Sequence, residues 1–402
     1  MFKVMAVNVG SSSVKFKLYE MPEEKVLSSG IVERIGHDDG IFTLKNEKGE
    51  KIVHKILPVK DHEYAVNLVI NGLLENGIVR DLHEIKGIGH RIVQGGPYFA
   101  DSHIFDEDTE KKIESLIPLA PLHNGPHLIG YRAFKKALPH VGQVAVFDTS
   151  FHQTMAPEDY LFPIKYEYYE KYQIRRYGAH GTSHRYLAHE AIHNYLHDKK
   201  DSRIITLHIG SGSSICAIRD GKCVLTSMGL TPLGGIMMGA RTGDMDPSVF
   251  NYICTVTGKS HDEVFQEFNK ESGLLGVTGI SNDTRDIEAA AEKGDKRAQI
   301  AIKMWSMKLA QFIVSYCCRL GHVDLIVWSA GIGENAPFYR QKVTDELTEF
   351  TGIRLDPKLN QEIALGKEGY ISAMDSTVPV VVIPTDEELM IARDVVRLLN
   401  LK

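Results

Sequence analysis

Short apolar stretches open the chain at Val4–Val9, Val14–Leu18 and Lys25–Ile31, each bounded by turn residues, and predict strands. "HDDG" (37–40) and "NEKGE" (46–50) predict turns. Strand and helix signals then alternate. Helices are predicted over His62–Asn76, Asp106–Ile117 and Asn124–Leu138. "IKGIGHRIV" (85–93) and "GQVAVFDTS" (142–150) are buried-strand patterns, the second ending on Asp148. The aromatic-rich segment 157–178 interrupts the alternation and predicts a domain junction or a covered surface.

A second cycle follows. It comprises a helix Tyr186–Asp198, the strand "RIITLHIG" (203–210) and a returning strand "ICAIRDGKCVL" (215–225) that turns at Asp220-Gly221. Helices are predicted over 247–258 and 260–270. A long one, Lys296–Leu320, is apolar nearly all round and is expected to be buried. "VDLIVWSAGIGEN" (323–335) reads as a strand entering a glycine turn. "VPVVVIP" (378–384) precedes a helix with Thr385 or Asp386 as N-cap. Alternation on this scale predicts an α/β protein.

Two stretches share a plan of apolar strand, polar residue, x-Gly-Ser, small residues and returning strand. They are "AVNVGSSSVKF" (6–16) and "LHIGSGSSICAI" (207–218). Small residues let a backbone approach a ligand, and the N–H groups of such a turn can bind an anion. Either loop alone is equally well a serine-rich hairpin turn. Two of them half a chain apart favour phosphate loops from related halves, with a nucleotide's phosphates in a cleft between them.

Composition narrows the class. With 402 residues the chain is long enough for two domains, and 43% hydrophobic against 24% charged residues is a globular balance. A net charge of −6 without basic runs argues against nucleic acid. The five cysteines, with no C-x-x-C spacing, predict free thiols in a reducing, cytoplasmic compartment. Cys317-Cys318 is expected to be core packing in a helix. No apolar run is long enough for a membrane span.

Several motifs carry chemistry. "TGKS" (257–260) ends like a nucleotide-binding loop, but Ile253 stands where that loop needs glycine. "HEAIH" (189–193) with His197 offers three imidazoles on one helix face. That spacing suits zinc, yet nothing downstream completes the site and a solvated helix face explains it better. Arg91 in "GHRIVQGG" and Arg241 in "MMGARTGDMDPS" are arginines framed by glycine, suited to carboxylate or phosphate oxygens or else to structural ion pairs. Asp148 ends a buried strand, His180 sits between small residues, and Glu387 lies in a first helical turn, where it also compensates the macrodipole. Asp283 and Arg285 in "SNDTRD" either hold a ribose and base or cap the next helix.

These pieces together resemble the acetate kinases, the acetokinase family of the actin–hexokinase–sugar kinase superfamily. The strings that carry the resemblance span nearly the whole chain: "NVGSSSVKF", "GHRIV", "APLHN", "VFDTSFHQTM", "RRYGAHGTSHRY", "MGLTPLGGIMMGARTGDMDP", "AGIGEN" and "ELMIARD". The resemblance implies a two-domain, actin-like (ribonuclease H-like) fold with a βββαβαβα core in each domain. One domain would be 1–149 plus 385–402, the other 150–384, carrying nucleotide binding and dimerisation. It also implies a homodimer, Mg²⁺ or Mn²⁺, ATP as co-substrate, and a short-chain carboxylate that becomes an acyl phosphate as ADP forms.

Carried over by motif, Arg91, Asp148, His180 and Arg241 would be catalytic. Arg91, Val93, Leu122, Ala179 and Pro232 would surround the acid. Ser11, Ser12, Lys15, His208, Ser211 and Gly212 would line the phosphate path, and Asp283, Arg285, Gly331, Ile332 and Asn335 would hold the nucleoside end. Asn8 and Glu387 would serve the metal, with His123 in support. The chain departs from the family at Ser211 (usually Asn), Gly234 (Glu), Gln94 and Pro97 (His and Glu), Asp386 (Asn) and Ala179 (Phe). Ala179 widens the implied acid pocket and favours propionate or butyrate as further substrates. A nucleotide switch of the actin or chaperone kind is a rival reading, though it has no need of Arg91 and Arg241 aimed at an acid. A zinc hydrolase built on "HEAIH" is another.

Overall fold

The computed structural model describes residues 1–402. The chain forms two compact units, Met1–Phe151 with Asp386–Lys402, and His152–Thr385. Each is built on one sheet.

In the first unit the strands are β1 (Phe2–Val9), β2 (Ser13–Met21), β3 (Lys25–Glu33), β4 (His37–Lys45), β5 (Lys51–Val59), β6 (Ile85–Ile92), β7 (His103–Ile104) and β8 (Gly142–Phe147), in the order β5-β4-β3-β2-β1-β6-β8-β7. β1 to β5 form an antiparallel meander, whereas β1, β6 and β8 run parallel. "HDDG" was expected to be a turn but lies inside β4. The chain reverses earlier, at Ile35-Gly36, where Gly36 takes φ +93°.

Period-two alternation sends side chains to opposite faces. Val7, Val9 and Ile88 pack with helix His62–Glu75 on one face; Val4, Ala6, Val144 and Val146 pack with helix Glu387–Leu398 on the other. Gly89 lets that second helix approach, since a Cβ there would fall 2.2 Å from Ile391 Cγ2. By the same alternation Asn8, Arg91 and Asp148 belong to the face of helix Glu387–Leu398. They lie at or just beyond the carboxyl ends of three parallel strands, a customary place for ligand sites in open α/β sheets.

The second unit repeats the plan. Its strands are β9 (Arg203–Ile209), β10 (Ser213–Arg219), β11 (Lys222–Thr226), β12 (Leu325–Ser329), β13 (Gly369–Tyr370) and β14 (Val380–Val382), in the order β11-β10-β9-β12-β14-β13. The run β11-β10-β9-β12-β14 has the same senses as β3-β2-β1-β6-β8, antiparallel up to the hairpin and parallel beyond it. Ile205, Leu207, Ile209, Ile215 and Ala217 join a core with Trp305, Leu309 and Ile313. Thr206, His208 and Ser214 therefore point to the opposite face.

Three further expectations need correction. The helix expected over Tyr186–Asp198 runs over Gly181–Glu190 and ends in a π turn, Ala191–Tyr195. Gly181, Thr182 and Ser183 are weak helix formers, but tertiary packing buries all three. Lys296–Leu320 is a helix, yet only one face is covered; Ile300, Met304 and Met307 are exposed. Cys318 on it is exposed too, because neighbours about 100° apart on a helix cannot both face the core. "AGIGEN" is no glycine turn: Ala330–Asn335 is a short helix directly after β12, entered through Ala330 at φ 64°. The aromatic segment exposes Tyr166, Tyr168 and Tyr172. No helix is long and apolar enough to cross a membrane.

Candidate active-site residues

In the first unit β8 delivers Asp148, fully buried, against Arg91 from β6. Arg91 Nη2 donates to Asp148 Oδ2 at 2.7 Å, and Arg91 Nε lies 3.2 Å from both carboxylate oxygens. The guanidinium thus docks on Asp148 by one edge and leaves Nη1 for another acceptor. Glu387 Oε2 lies 3.8 Å from Arg91 Nε. Burial pushes the Glu387 carboxyl up to about 7. Arg91 opposes that shift, and the charges of Asp148, Glu388 and Asp386 add to it.

Asp386, not Thr385, caps the helix, accepting from Leu389 N at 3.1 Å. It also takes hydrogen bonds from Lys17 Nζ and Tyr19 Oη, both at 3.0 Å, and Lys17 reaches Glu388 at 3.2 Å. Four carboxylates, Asp148, Asp386, Glu387 and Glu388, are thus answered by two cations, Arg91 and Lys17. An oxygen-rich group with surplus negative charge fits a hard divalent cation.

The first hairpin loop is tight: Gly10 N donates to Ser13 O at 2.8 Å, and Ser11 and Ser12 are exposed. Asn8 pairs with Lys15 across β1 and β2, so their side chains share a face. Val93 is buried, whereas Leu122 is 56% exposed on a surface turn and does not enclose an apolar pocket within its own unit. His123 stands just ahead of helix Asn124–Ala137. Gln94 is a loop brace, its Oε1 accepting from Gly96 N and its carbonyl from Asn124 Nδ2.

In the second unit the corresponding hairpin loop carries Ser211 and Gly212. A Cβ on Gly212 would lie 3.3 Å from Arg241 Nη1 and 3.6 Å from His180 Nε2, so glycine keeps the loop, guanidinium and imidazole together. Arg241 makes only a 3.3 Å bond to Pro232 O and a 3.8 Å contact with Met238 Sδ, and no carboxylate pairs with it. Burial pulls its pKa down. A half-buried cation without a counter-ion gains by binding an anion.

His180 is at φ 59°, its Nδ1 2.9 Å from Ser214 Oγ and its ring 4.1 Å from that of His208. His208 Nδ1 bonds Ser183 Oγ, which bonds Thr385 Oγ1, both at 2.8 Å. Ala179 is buried against Met228 and Met238.

Asp283 caps the next helix through Arg285 N and pairs with the exposed Arg285 side chain, which also lowers its pKa to about 2. Gly331 and Ile332 lie in the first turn of helix Ala330–Asn335, while Asn335 bonds Gly331 O and Leu365 N, a bracing pattern. Sequence reasoning missed Glu334, whose Oε1 accepts from Ala330 N and Thr385 N, and the buried Arg340 behind it. It also missed Ser214, His184 and Thr206, although His184 follows His180 by one helical turn.

The "HEAIH" histidines form no shared centre. His189 bonds Glu190 and His193 bonds Asp198, at 3.1 and 2.8 Å; their rings still stack at 5.7 Å, but the chain leaves the helix through the π turn before His197.

Comparison with known proteins adds to this. The model of the acetokinase family matches residues 3–393. The acetate kinase of Macrococcus caseolyticus is 50% identical over 402 residues, covering 100% of both chains. That of Bacillus subtilis is 49% identical, covering 99% of this chain and 100% of its own. Among solved structures, Porphyromonas gingivalis acetate kinase superposes with a TM-score of 0.93 at 42% identity, covering 99% and 100% of the two chains. A propionate kinase from Francisella tularensis gives 0.92 at 39%, with the same coverage.

Proposed function

The chain belongs to the acetokinase family, and on that premise we propose that it transfers the γ-phosphoryl group of ATP reversibly to acetate, giving acetyl phosphate and ADP. The observation that carries the reading is the contrast between two arginines. Arg91 is anchored on Asp148 with an edge to spare, and Arg241 is half-buried without any carboxylate partner. An acid and a phosphoryl group supply anions for both. Such a transfer asks little covalent work of the protein, so positioning and charge neutralisation dominate.

Arg91 orients the carboxylate, with Val93, Ala179 and Pro232 near its alkyl end and Leu122 as a surface contribution. Arg241 neutralises the transferring group, and His180 donates to its equatorial oxygens. Ser11, Ser12, Lys15, His208, Ser211 and Gly212 line the phosphates; Asp283, Arg285, Gly331, Ile332 and Asn335 serve the nucleoside. His123 supports the site. Asn8, Asp148 and Glu387 hold Mg²⁺, or Mn²⁺ in its place, which neutralises phosphate charge when bound. The reading includes a homodimer and a cytoplasmic location. Trapping with hydroxylamine tests it: ATP, Mg²⁺ and acetate are expected to give acetyl hydroxamate, and ATP turnover without hydroxamate would overturn the reading.

Glu387 sets a pH dependence. Its carboxyl must lose a proton to serve a cation, and that proton leaves near pH 7. Affinity for Mn²⁺, read by EPR titration without turnover, is expected to strengthen roughly tenfold between pH 6 and pH 8; a flat profile would contradict the assignment. The metal-free protein has the opposite dependence. A carboxyl with a raised folded-state pKa stabilises the fold at low pH and loses that contribution as pH rises through about 7.

A second substrate reading follows from Ala179. Its methyl meets two methionines, flexible side chains that make room readily. Each added methylene of the acid contributes up to about 0.8 kcal/mol on burial. Propionate is therefore expected to react with a kcat/KM within about tenfold of acetate. A preference for acetate far beyond that in a carboxylate series would exclude it.

A further inference from the structure

Four side chains of the His152–Thr385 unit form a hydrogen-bonded line. Thr206 Oγ1 is 2.7 Å from His184 Nδ1, His184 Nε2 is 2.7 Å from Ser214 Oγ, and Ser214 Oγ is 2.9 Å from His180 Nδ1. Strand alternation assembles it: Thr206 and His208 share a face of β9, and Ser214 of β10 lies opposite His208 in register. The helix that begins at Gly181 supplies His184, one turn after His180.

Thr206, His184 and Ser214 are fully buried, so their hydrogens must be placed within the line. Burial, with His152 and His208 close by, holds the His184 pKa well below its ordinary value, so this ring is neutral and carries one N–H. With Ser214 contributing one O–H that stays in the line, two arrangements satisfy these three contacts. In one, hydrogens point from Thr206 towards His180, whose Nδ1 accepts and whose Nε2 keeps its hydrogen. In the other they run back, and neutral His180 carries its hydrogen on Nδ1 and none on Nε2.

We propose that Thr206, His184 and Ser214 are positioning residues that hold His180 in the tautomer with hydrogen on Nε2, ready to donate to an anionic phosphoryl group. The identity of that anion rests on the kinase reading; the tautomer does not. Phosphoryl oxygens are acceptors, so only the first arrangement meets them with a hydrogen. A neutral donor also avoids a second full charge beside Arg241, whose Nη1 and the His180 ring flank the same glycine. No proton is transferred, and the hydrogen stays on Nε2 through the cycle. His208 is held the same way, its Nδ1 on Ser183 and Ser183 on Thr385.

The test is long-range ¹H–¹⁵N correlation on protein labelled with ¹⁵N-histidine, with steady-state kinetics on the same samples. In the full-length wild type His180 is expected as the Nε2–H tautomer at mildly alkaline pH. Ser214→Ala is expected to shift His180 towards the other tautomer and to lower kcat about tenfold or more, with both KM values nearly unchanged. Thr206→Val, isosteric and one imidazole removed, is expected to do the same more weakly. If Ser214→Ala does not fold, Thr206→Val decides by the same two readings. An Nδ1–H tautomer or an imidazolium in the wild type would overturn the inference, as would a folded variant that loses kcat with its His180 resonances unmoved or keeps full kcat. Because the spectra need no substrate, failure of the relay is distinguishable from failure of the kinase reading.

Discussion

Arg91→Ala is expected to lower kcat/KM for acyl phosphate formation about 1,000-fold or more, the range seen when a charge-bearing donor is removed from a phosphoryl-transfer site. A second effect accompanies it. Asp148 is fully buried and receives the guanidinium through Nε and Nη2. Removing one partner of such a pair typically costs about 3–5 kcal/mol of stability. Arg91→Lys separates the two effects. Lysine keeps the charge but cannot hold Asp148 by one edge and present a second. That variant is expected to recover most of the thermal stability while remaining at least about tenfold impaired. Calorimetry and acyl phosphate assays on the two variants check this. Wild-type turnover by a folded Arg91→Ala protein would remove Arg91 from the mechanism.

Arg340→Leu is expected to be the most damaging change remote from the proposed chemistry. Arg340 is fully buried and meets no carboxylate. Its donors go to Asn360 Oδ1 (2.7 Å), Gly333 O (2.8 Å), Glu334 O (3.0 Å), Asn360 O (2.5 Å) and Ile363 O (2.8 Å). These carbonyls lie at the C-terminal ends of two short helices, where a cation suits the helix dipole. Burial lowers the Arg340 pKa to about 10. Leucine would strand several buried acceptors, each costing about 1–3 kcal/mol, so a loss of about 4 kcal/mol or more is expected. In a unit of this size that corresponds to roughly 10 °C in Tm. One of the braced helices carries Gly331 and Ile332, so KM for ATP should rise while KM for the acid changes little. A Tm within about 2 °C of wild type would show that the carbonyls find other donors.

The architecture was legible where local pattern and tertiary fold agree. The two hairpins declare themselves by apolar strands around small polar loops, and they occupy equivalent places in the two sheets. Alternation alone places Asn8, Arg91 and Asp148 on one face. Long-range pairing was not legible. Thr206 and Ser214 look like ordinary strand residues until β9 and β10 pair and a helix lays His184 over them. "HDDG" has the composition of a turn, but its neighbours in β5 recruit it into a strand. The Lys296–Leu320 helix misleads in the other direction, because apolar composition does not reveal which face a sheet covers. Arg340 gave no signal, since its partners are backbone carbonyls and one distant asparagine side chain.

Direct displacement at phosphorus is the core of this account. The groups proposed to serve the transferring phosphoryl are donors and charges: Asp148 is clamped by Arg91, and the Nδ1 atoms of His180 and His208 are tied to Ser214 and Ser183. The most direct measurement is the configuration of acetyl phosphate formed from ATP made chiral at the γ-phosphorus with three oxygen isotopes. Inversion is expected, since acetate attacks in line as ADP departs. Retention would contradict the account, because it would require a phosphorylated side chain between the two substrates.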